Sequence, residues 1–189
     1  MARRTTHRIT NEQIEAAARG DRAAAGEVAD FIYGWVENIL RSSPGDIDDA
    51  VNDTFVAVLT AVRTRQYDPT QSDKQAWVAK IATRKALDVL RRRKGREVPF
   101  DDELHGPASP DPVSRIERQQ SADRVNDLLN ELREEDRALL MLRYKEELSQ
   151  EEIADTLELP VGTIKSRLSR LRQHLLARLG PSTRRPDDV

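Results

Sequence analysis

The stretch from residue 161 to 180 carries Lys165, Arg167, Arg170, Arg172 and Arg178 and no carboxylate, a net charge of +5. At helical spacing, Thr163, Ser166, Arg167, Arg170 and Gln173 share one face, with Lys165 and Ser169 on its flanks. Ile164, Leu168, Leu171 and Leu175 form the opposite, apolar stripe. Guanidinium, ammonium and hydroxyl groups on one helical face suit contacts to phosphates and to base edges in a major groove. Just upstream, Ser149-Gln150-Glu151-Glu152 has the capping-box pattern, which predicts a short helix with Ile153, Ala154 and Leu157 inward. Glu158-Leu159-Pro160 ends that helix, and Val161-Gly162-Thr163 starts the next. A short helix, a tight turn and a second, cationic helix make a helix-turn-helix pattern. On its own the segment is read equally well as a helical hairpin with a solvated cationic face.

A second concentration of positive charge lies at residues 73–96, with nine cations, two carboxylates and a net +7. Residues 1–8 add +3, whereas 9–72, 97–111 and 112–160 carry −6, −5 and −6. The whole chain of 189 residues sums to −2, which by itself gives no long-range pull on nucleic acid. The segregation matters more than the sum. Other chemistries have little to stand on. There is no cysteine, hence no disulfide framework, no thiolate metal ligand and no thiol nucleophile. His7, His105 and His174 are far apart, and no glycine-rich phosphate loop or catalytic triad is in view, so no catalytic residue, metal or cofactor is expected. No apolar run approaches the roughly 18–20 residues of a membrane span, and basic Met1–Arg8 leads into polar Thr10-Asn11-Glu12. A soluble, cytoplasmic protein without membrane insertion is expected.

The elements that must position these charges are helical. Phe31, Trp35 and Ile39 form one face, with Val28 and Ile32 beside them. Val51, Phe55, Val58, Leu59 and Val62 repeat at three and four residues, behind Asp46 and Asp49 at the helix start. Trp77, Ile81, Leu87 and Leu90 stripe a third helix that runs into Arg91-Arg92-Arg93-Lys94-Gly95. Residues 96–113 hold four of the nine prolines and five carboxylates, too little apolar surface to offset ordering, and read as an acidic linker. The expected fold is all-α, with two small helical domains joined by this Pro-rich linker. Their bounds are 9–95, linker 96–113, a helix-turn-helix domain at 114–180 and a tail at 181–189.

Three motifs then carry a resemblance. Asp48-Asp49-Ala50-Val51-Asn52-Asp53-Thr54-Phe55 resembles the acidic core-binding helix of bacterial sigma factors. Ala76-Trp77-Val78-Ala79-Lys80-Ile81-Ala82-Thr83-Arg84-Lys85-Ala86-Leu87-Asp88-Val89-Leu90-Arg91-Arg92 resembles the "AWLxRIARNxALDxLRR" helix that follows it. Leu132 to Tyr144, Leu148-Ser149 and Gly162-Thr163-Ile164-Lys165-Ser166-Arg167-Leu168 resemble the promoter-reading region. With two domains and no third between them, the chain resembles the extracytoplasmic-function (group IV) RNA polymerase sigma factors over roughly residues 10–178.

The resemblance implies a protein that binds core RNA polymerase through its beta and beta-prime subunits, reads −35 and −10 promoter elements and helps melt DNA. Asp48, Asp49, Asn52, Asp53 and Phe55 would meet polymerase, where opposite potentials steer association. Tyr67, Lys74, Trp77, Lys80, Arg84, Lys85, Arg91 and Arg92 would meet the −10 element, capturing unstacked bases. Trp77 fits a core position as well as a stacking platform. Lys165, Ser166, Ser169 and Arg170 would meet −35 base edges, with Thr163 and Arg167 nearer the backbone. The linker would thread near the polymerase active-site and RNA-exit channels or serve as a plain tether. The resemblance also allows an anti-sigma partner.

Three positions depart from the family pattern: Arg84 stands where Asn is usual, Lys74 where Phe is usual, and Ala79 where an aromatic is usual. Charge would then substitute for stacking, making promoter opening unusually salt-sensitive. The alternatives are a stand-alone helix-turn-helix regulator, which leaves the acidic helix without a role, and a sigma-like polymerase-binding protein that does not open promoters.

Overall fold

The structure, a computed structural model, describes residues 8–66, 74–93 and 125–179. Among these residues every regular element is helical. The first helix, α1 (Asn11–Ala18), starts at a reciprocal cap. There the Gln13 amide donates to Thr10 Oγ1 (3.3 Å) and the Thr10 amide to Gln13 Oε1 (2.7 Å). Gly20, at φ +97°, supplies the left-handed turn into α2 (Arg22–Ile39). Asp21 caps α2 by accepting from the amides of Ala23 and Ala24 at 2.9 and 3.0 Å.

The α2 helix is the axle of the N-terminal half. Its Val28, Phe31, Ile32, Trp35, Val36 and Ile39 are buried, and it packs against α1, α3 (Ile47–Arg63) and α4 (Lys74–Arg93). The expected face of Phe31, Trp35 and Ile39 is therefore the core, with the Phe31 and Trp35 rings stacked 6.0 Å apart. Trp35 also has a polar end to satisfy: its Nε1–H donates to Thr83 Oγ1 at 2.9 Å, both residues fully buried. A single 3-10 turn at Pro44–Asp46 leads into α3, whose first-turn Asp48 and Asp49 sit on the positive end of the helix dipole.

In α4 the expected stripe of Trp77, Ile81, Leu87 and Leu90 packs on the core, but the most deeply buried face lies beside it. Leu87 and Leu90 are buried as anticipated, but Trp77 and Ile81 are only half-buried. Val78, Ala79, Ala82 and Ala86 are fully buried instead. Alanines at these spacings let α4 lie close against its neighbours, and small side chains carry little weight in a hydrophobic pattern.

The C-terminal half begins, among the described residues, with helical residues 125–131 (α5). It continues with α6 (Glu134–Tyr144), α7 (Gln150–Leu157) and α8 (Val161–Leu179). The reciprocal cap expected at Ser149 is present. The Glu152 amide donates to Ser149 Oγ (3.1 Å) and the Ser149 amide to Glu152 Oε2 (3.0 Å). Glu158, at φ 57°, ends α7 in a left-handed turn, and α8 starts three residues later. Ile153, Ala154 and Leu157 of α7 face Ile164, Leu168 and Leu171 of α8 in the core, as the helix-turn-helix pattern anticipates.

One hydrophobic core runs without a break from Ile9 to Leu171. The C-terminal helices do not hang free of the N-terminal ones: α6 packs on α2 and α4, and α7 packs on α4. The linker at 96–113, the start of the second domain at 114, Tyr67 and the tail at 181–189 lie outside the described residues.

Candidate nucleic-acid interface and polymerase-docking face

On α3 the acidic stripe is laid out as the sequence spacing anticipates. Asp48, Asp49 and Asn52 are exposed. Asp53 is half-buried, and its Oδ2 accepts from Arg92 Nη2 of α4 at 3.0 Å, so the acidic stripe and the basic helix are tied together. With side chains 64% and 43% exposed, that pair contributes at most about 1 kcal/mol. Phe55 follows its place in the apolar repeat of α3 and is half-buried, which leaves only part of its ring for the acidic face. It packs against the core, because its position follows the buried Ala50–Thr54–Val58 ridge rather than the acidic stripe. The apolar contribution to the outer face comes from Val56, 63% exposed, which the sequence reasoning missed. Its signal was legible: Asp49, Asn52, Asp53 and Val56 are spaced i, i+3, i+4 and i+7, one stripe of a helix.

On α8, Lys165, Ser166 and Ser169 are exposed and Thr163 and Arg170 half-exposed, forming one outward face. Ser166 Oγ donates to the Thr163 carbonyl at 3.0 Å, which fixes its rotamer along the helix. Arg167 is the correction. Helical spacing puts it on the outward face, whereas it is 7% exposed and its Nη2 lies 3.5 Å from Asp136 Oδ1 of α6. Desolvation pushes the Asp136 carboxyl above its ordinary value, and the Arg167 charge pulls it part of the way back. Arg167 therefore anchors the recognition helix to α6 from beneath. One helical step of about 100° separates the outward face from this inward position, too little for periodicity alone to settle.

The basic α4 helix holds the largest departure. Arg91 and Arg92 are exposed, and Lys74, Trp77 and Lys85 half-buried. Arg91 Nη1 donates to Asp88 Oδ1 on its own helix at 3.2 Å. Lys80 and Arg84 reach α7, Arg84 remaining exposed beside it. Lys80 Nζ lies 3.0 Å from Glu152 Oε1. Arg84 Nε donates to the Thr156 carbonyl (3.0 Å), and its Nη2 donates to the Asp155 carbonyl (2.8 Å) and Asp155 Oδ2 (3.1 Å). A cation thus covers the unsatisfied carbonyls and negative dipole end of a neighbouring helix. One turn and a half before Lys80, Gln75 Nε2 donates to both carboxylate oxygens of Glu146 at 2.9 and 3.1 Å. Glu152 is doubly engaged, by the Ser149 amide and by Lys80, and both hold its carboxyl below the ordinary value. Among the described residues no group of His, Cys, Asp and Glu is arranged to hold a metal ion, and no helix is long and apolar enough to cross a membrane.

An acidic helical face with an apolar residue on it, a basic helix and a helix-turn-helix with a cationic outer face are the surfaces suited to a protein partner and to DNA. Known proteins give that combination its name. The model of Sigma-70 region 2 matches residues 26–96, and that of Sigma-70 region 4 matches residues 122–175. The ECF RNA polymerase sigma factor RpoE of Cereibacter sphaeroides is 32% identical over 162 residues, covering 82% of this chain and 88% of that protein. The RNA polymerase sigma factor CnrH of Cupriavidus metallidurans is 32% identical over 143 residues, 71% of this chain and 73% of CnrH. The ECF sigma factor SigW of Bacillus subtilis is 24% identical over 183 residues, 90% of this chain and 97% of SigW. A solved structure of CnrH in complex with the cytosolic domain of CnrY has 28% identity and a TM-score of 0.49, covering 88% of this chain and 96% of that one. The chain belongs to the ECF RNA polymerase sigma factors. It is a DNA-binding protein that directs promoter-specific transcription initiation.

Proposed function

We propose that the two halves divide that work by charge. In this reading residues 9–95 form the unit that docks polymerase and reads and melts the −10 element. Residues 114–180 form the −35-reading unit, joined to the first by the acidic segment 96–113. Asp48, Asp49, Asn52 and Val56 on α3 meet the polymerase beta and beta-prime subunits, with Asp53 released from Arg92 on docking. Lys74, Trp77, Lys80, Arg84, Lys85, Arg91 and Arg92, with Tyr67 in the adjoining segment, meet the −10 element. Thr163, Lys165, Ser166, Ser169 and Arg170 meet the −35 element. The protein performs no covalent chemistry of its own and works in the cytoplasm.

The observation that carries the reading is the outward face of α8. It is the second helix of a helix-turn-helix, without a carboxylate along its length, and it leaves Lys165, Ser166 and Ser169 exposed. Run-off transcription with core polymerase on genomic fragments tests it. Defined transcripts that require this chain are expected, and their start sites locate both promoter elements. Substituting Arg170 by Ala should lower transcription mainly from promoters with the native −35 sequence, since one Arg–guanine pair discriminates by about 1–3 kcal/mol. No transcript above core polymerase alone would overturn the reading. An anti-sigma partner, which the family resemblance allows, belongs to the same proposal. It should co-purify with the tagged chain from uninduced cells and be lost on induction.

A further inference from the structure

The turn between α2 and α3 brings an exposed hydroxyl against a buried cation. Ser42 is exposed, and its Oγ accepts from Arg137 Nη2 of α6 at 2.7 Å. Arg137 is 2% exposed, and its Nε and Nη1 are buried with no hydrogen-bond partner among the described residues. Glu134 Oε1 stands off at 3.8 Å from the same Nη2. A guanidinium is a five-donor fork that suits an oxyanion with several acceptor oxygens. Here a single hydroxyl oxygen takes its one satisfied bond.

A second cation lies beside it. Arg41 is close enough to Arg137 for their charges to oppose each other. It donates to Asn130 Oδ1 at 2.9 Å and to Asn38 Oδ1, both neutral amides. Glu134 and Glu135 are the acidic groups whose charges act on Arg137, and Glu134 Oε1 already accepts from Ser43 Oγ at 3.3 Å. Pro44 and Gly45 next to this pair of serines are exposed, and Ser42 lies outside the α-helices, as access by a second enzyme requires.

We propose that Ser42 is a phosphorylation site whose phosphate is received by Arg137 and Arg41. In the step, Ser42 Oγ attacks the γ-phosphorus of a nucleoside triphosphate held by a protein kinase. The Oγ–P bond forms and the bond from that phosphorus to the bridging oxygen breaks. The nucleoside diphosphate leaves with the bonding pair, and the hydroxyl proton passes to a base of the kinase. The product carries a charge of about −1.5 to −2 near neutral pH and three strong acceptor oxygens. Because Oγ already lies against Nη2, those oxygens fall within reach of the Arg137 fork. Charge-assisted bonds then hold α6 to the α2–α3 turn in place of one hydroxyl contact.

The geometry selects Ser42 over its neighbour and over a free anion. Ser43 precedes a proline, but its hydroxyl is directed at Glu134, where a phosphate would meet a carboxylate. A free anion would have to displace the Ser42 hydroxyl from Nη2, whereas a phosphate on that hydroxyl is delivered there by its own tether.

The test installs phosphoserine at position 42 of the full chain by a reassigned codon, with phosphoserine at position 43 as the control. Phosphoserine ordinarily loses its second proton at a pKa of about 6. Phosphorus NMR across a pH series should place that step lower at position 42, because the two cations favour the dianion. Arg137→Gln should return it toward the ordinary value, and so should Arg41→Gln, which serves alone if the buried substitution does not fold. At position 43, beside Glu134, the step should stay at or above about 6. Phosphate at position 42 should raise the melting temperature by about 3–6 °C, and inorganic phosphate alone should leave the unmodified chain unmoved. Peptide mapping of the chain purified from its own cells, through growth and stress, should find phosphate on Ser42. The inference is overturned by an ordinary pKa at position 42, by a step there that neither arginine substitution moves, or by an unraised melting temperature. Equal stabilisation by inorganic phosphate overturns it in favour of a free-anion site. Phosphate absent from Ser42 under every condition sampled overturns its use as a modification site.

Discussion

The buried Arg167–Asp136 pair separates an anchoring arginine from a DNA-contacting one. Replacing Asp136 by Leu removes the carboxylate that pairs with the Arg167 guanidinium at 8% side-chain exposure, with the like charges of Arg133 and Arg170 still nearby. Removing one partner of a buried ion pair costs about 3–5 kcal/mol. Against a total stability of roughly 5–15 kcal/mol for a domain of this size, the single variant should unfold at a much lower urea concentration. Replacing both partners, Arg167→Met with Asp136→Leu, removes both desolvation costs and should return stability to within about 1–2 kcal/mol of the wild type. Urea titrations followed by circular dichroism measure both values. The functional arm uses the double variant with core polymerase on a promoter fragment across a salt series. If Arg167 only anchors α8, promoter affinity and its salt slope are retained. The double variant could instead fold as the wild type does while losing affinity, with a log–log salt slope shallower by about 0.9. That outcome would identify Arg167 as a phosphate contact and refute the anchoring argument.

Three further outcomes follow from the geometry. Thr83→Val keeps the side-chain shape but leaves the buried Trp35 indole N–H without its acceptor, so stability should fall by about 1–3 kcal/mol; a loss below about 0.5 kcal/mol in urea titration would contradict that bond. Val56→Ser should leave stability within about 0.5 kcal/mol, because the side chain is exposed, yet weaken binding to core polymerase several-fold in a fluorescence titration. Equal affinity would remove Val56 from the docking face. Glu152 titrates below its ordinary value of 4.5 in the folded chain, so its stabilising contribution is complete above that value and fades as pH falls through the folded pKa. The difference in urea midpoint between wild type and Glu152→Gln should therefore be constant near neutrality and shrink in acid; a difference that grows in acid would reverse the sign of the argument.

How much was legible depended on whether the deciding interaction was local. Capping at Ser149 and the turn through Glu158 to Pro160 are settled within a few residues, and the structure repeats them. The same holds for the inward faces of α2, α7 and α8, where large apolar residues recur at helical spacing. The face of α4 was read too narrowly, because Ala79, Ala82 and Ala86 join its stripe in the core, and their burial follows from how close α2 and α3 come. Phe55 and Arg167 stood at the edge of a stripe, where a single helical step decides between solvent and core. Only the position of α6 tells which way Arg167 turns.

The sequence by itself determined the helical class, the ends around the helix-turn-helix, the family and the segregation of charge into acidic and basic runs, since each depends on residue types a turn or two apart. Tertiary structure alone decided what those charges meet. Asp136 lies 31 positions before Arg167, and Asp155 lies 71 after Arg84, separations over which sequence spacing carries no geometric information. Bringing them within hydrogen-bonding or ion-pairing reach takes a common core, and that core engages Lys80 and Arg84 of the basic helix with α7 while Arg91 and Arg92 stay exposed.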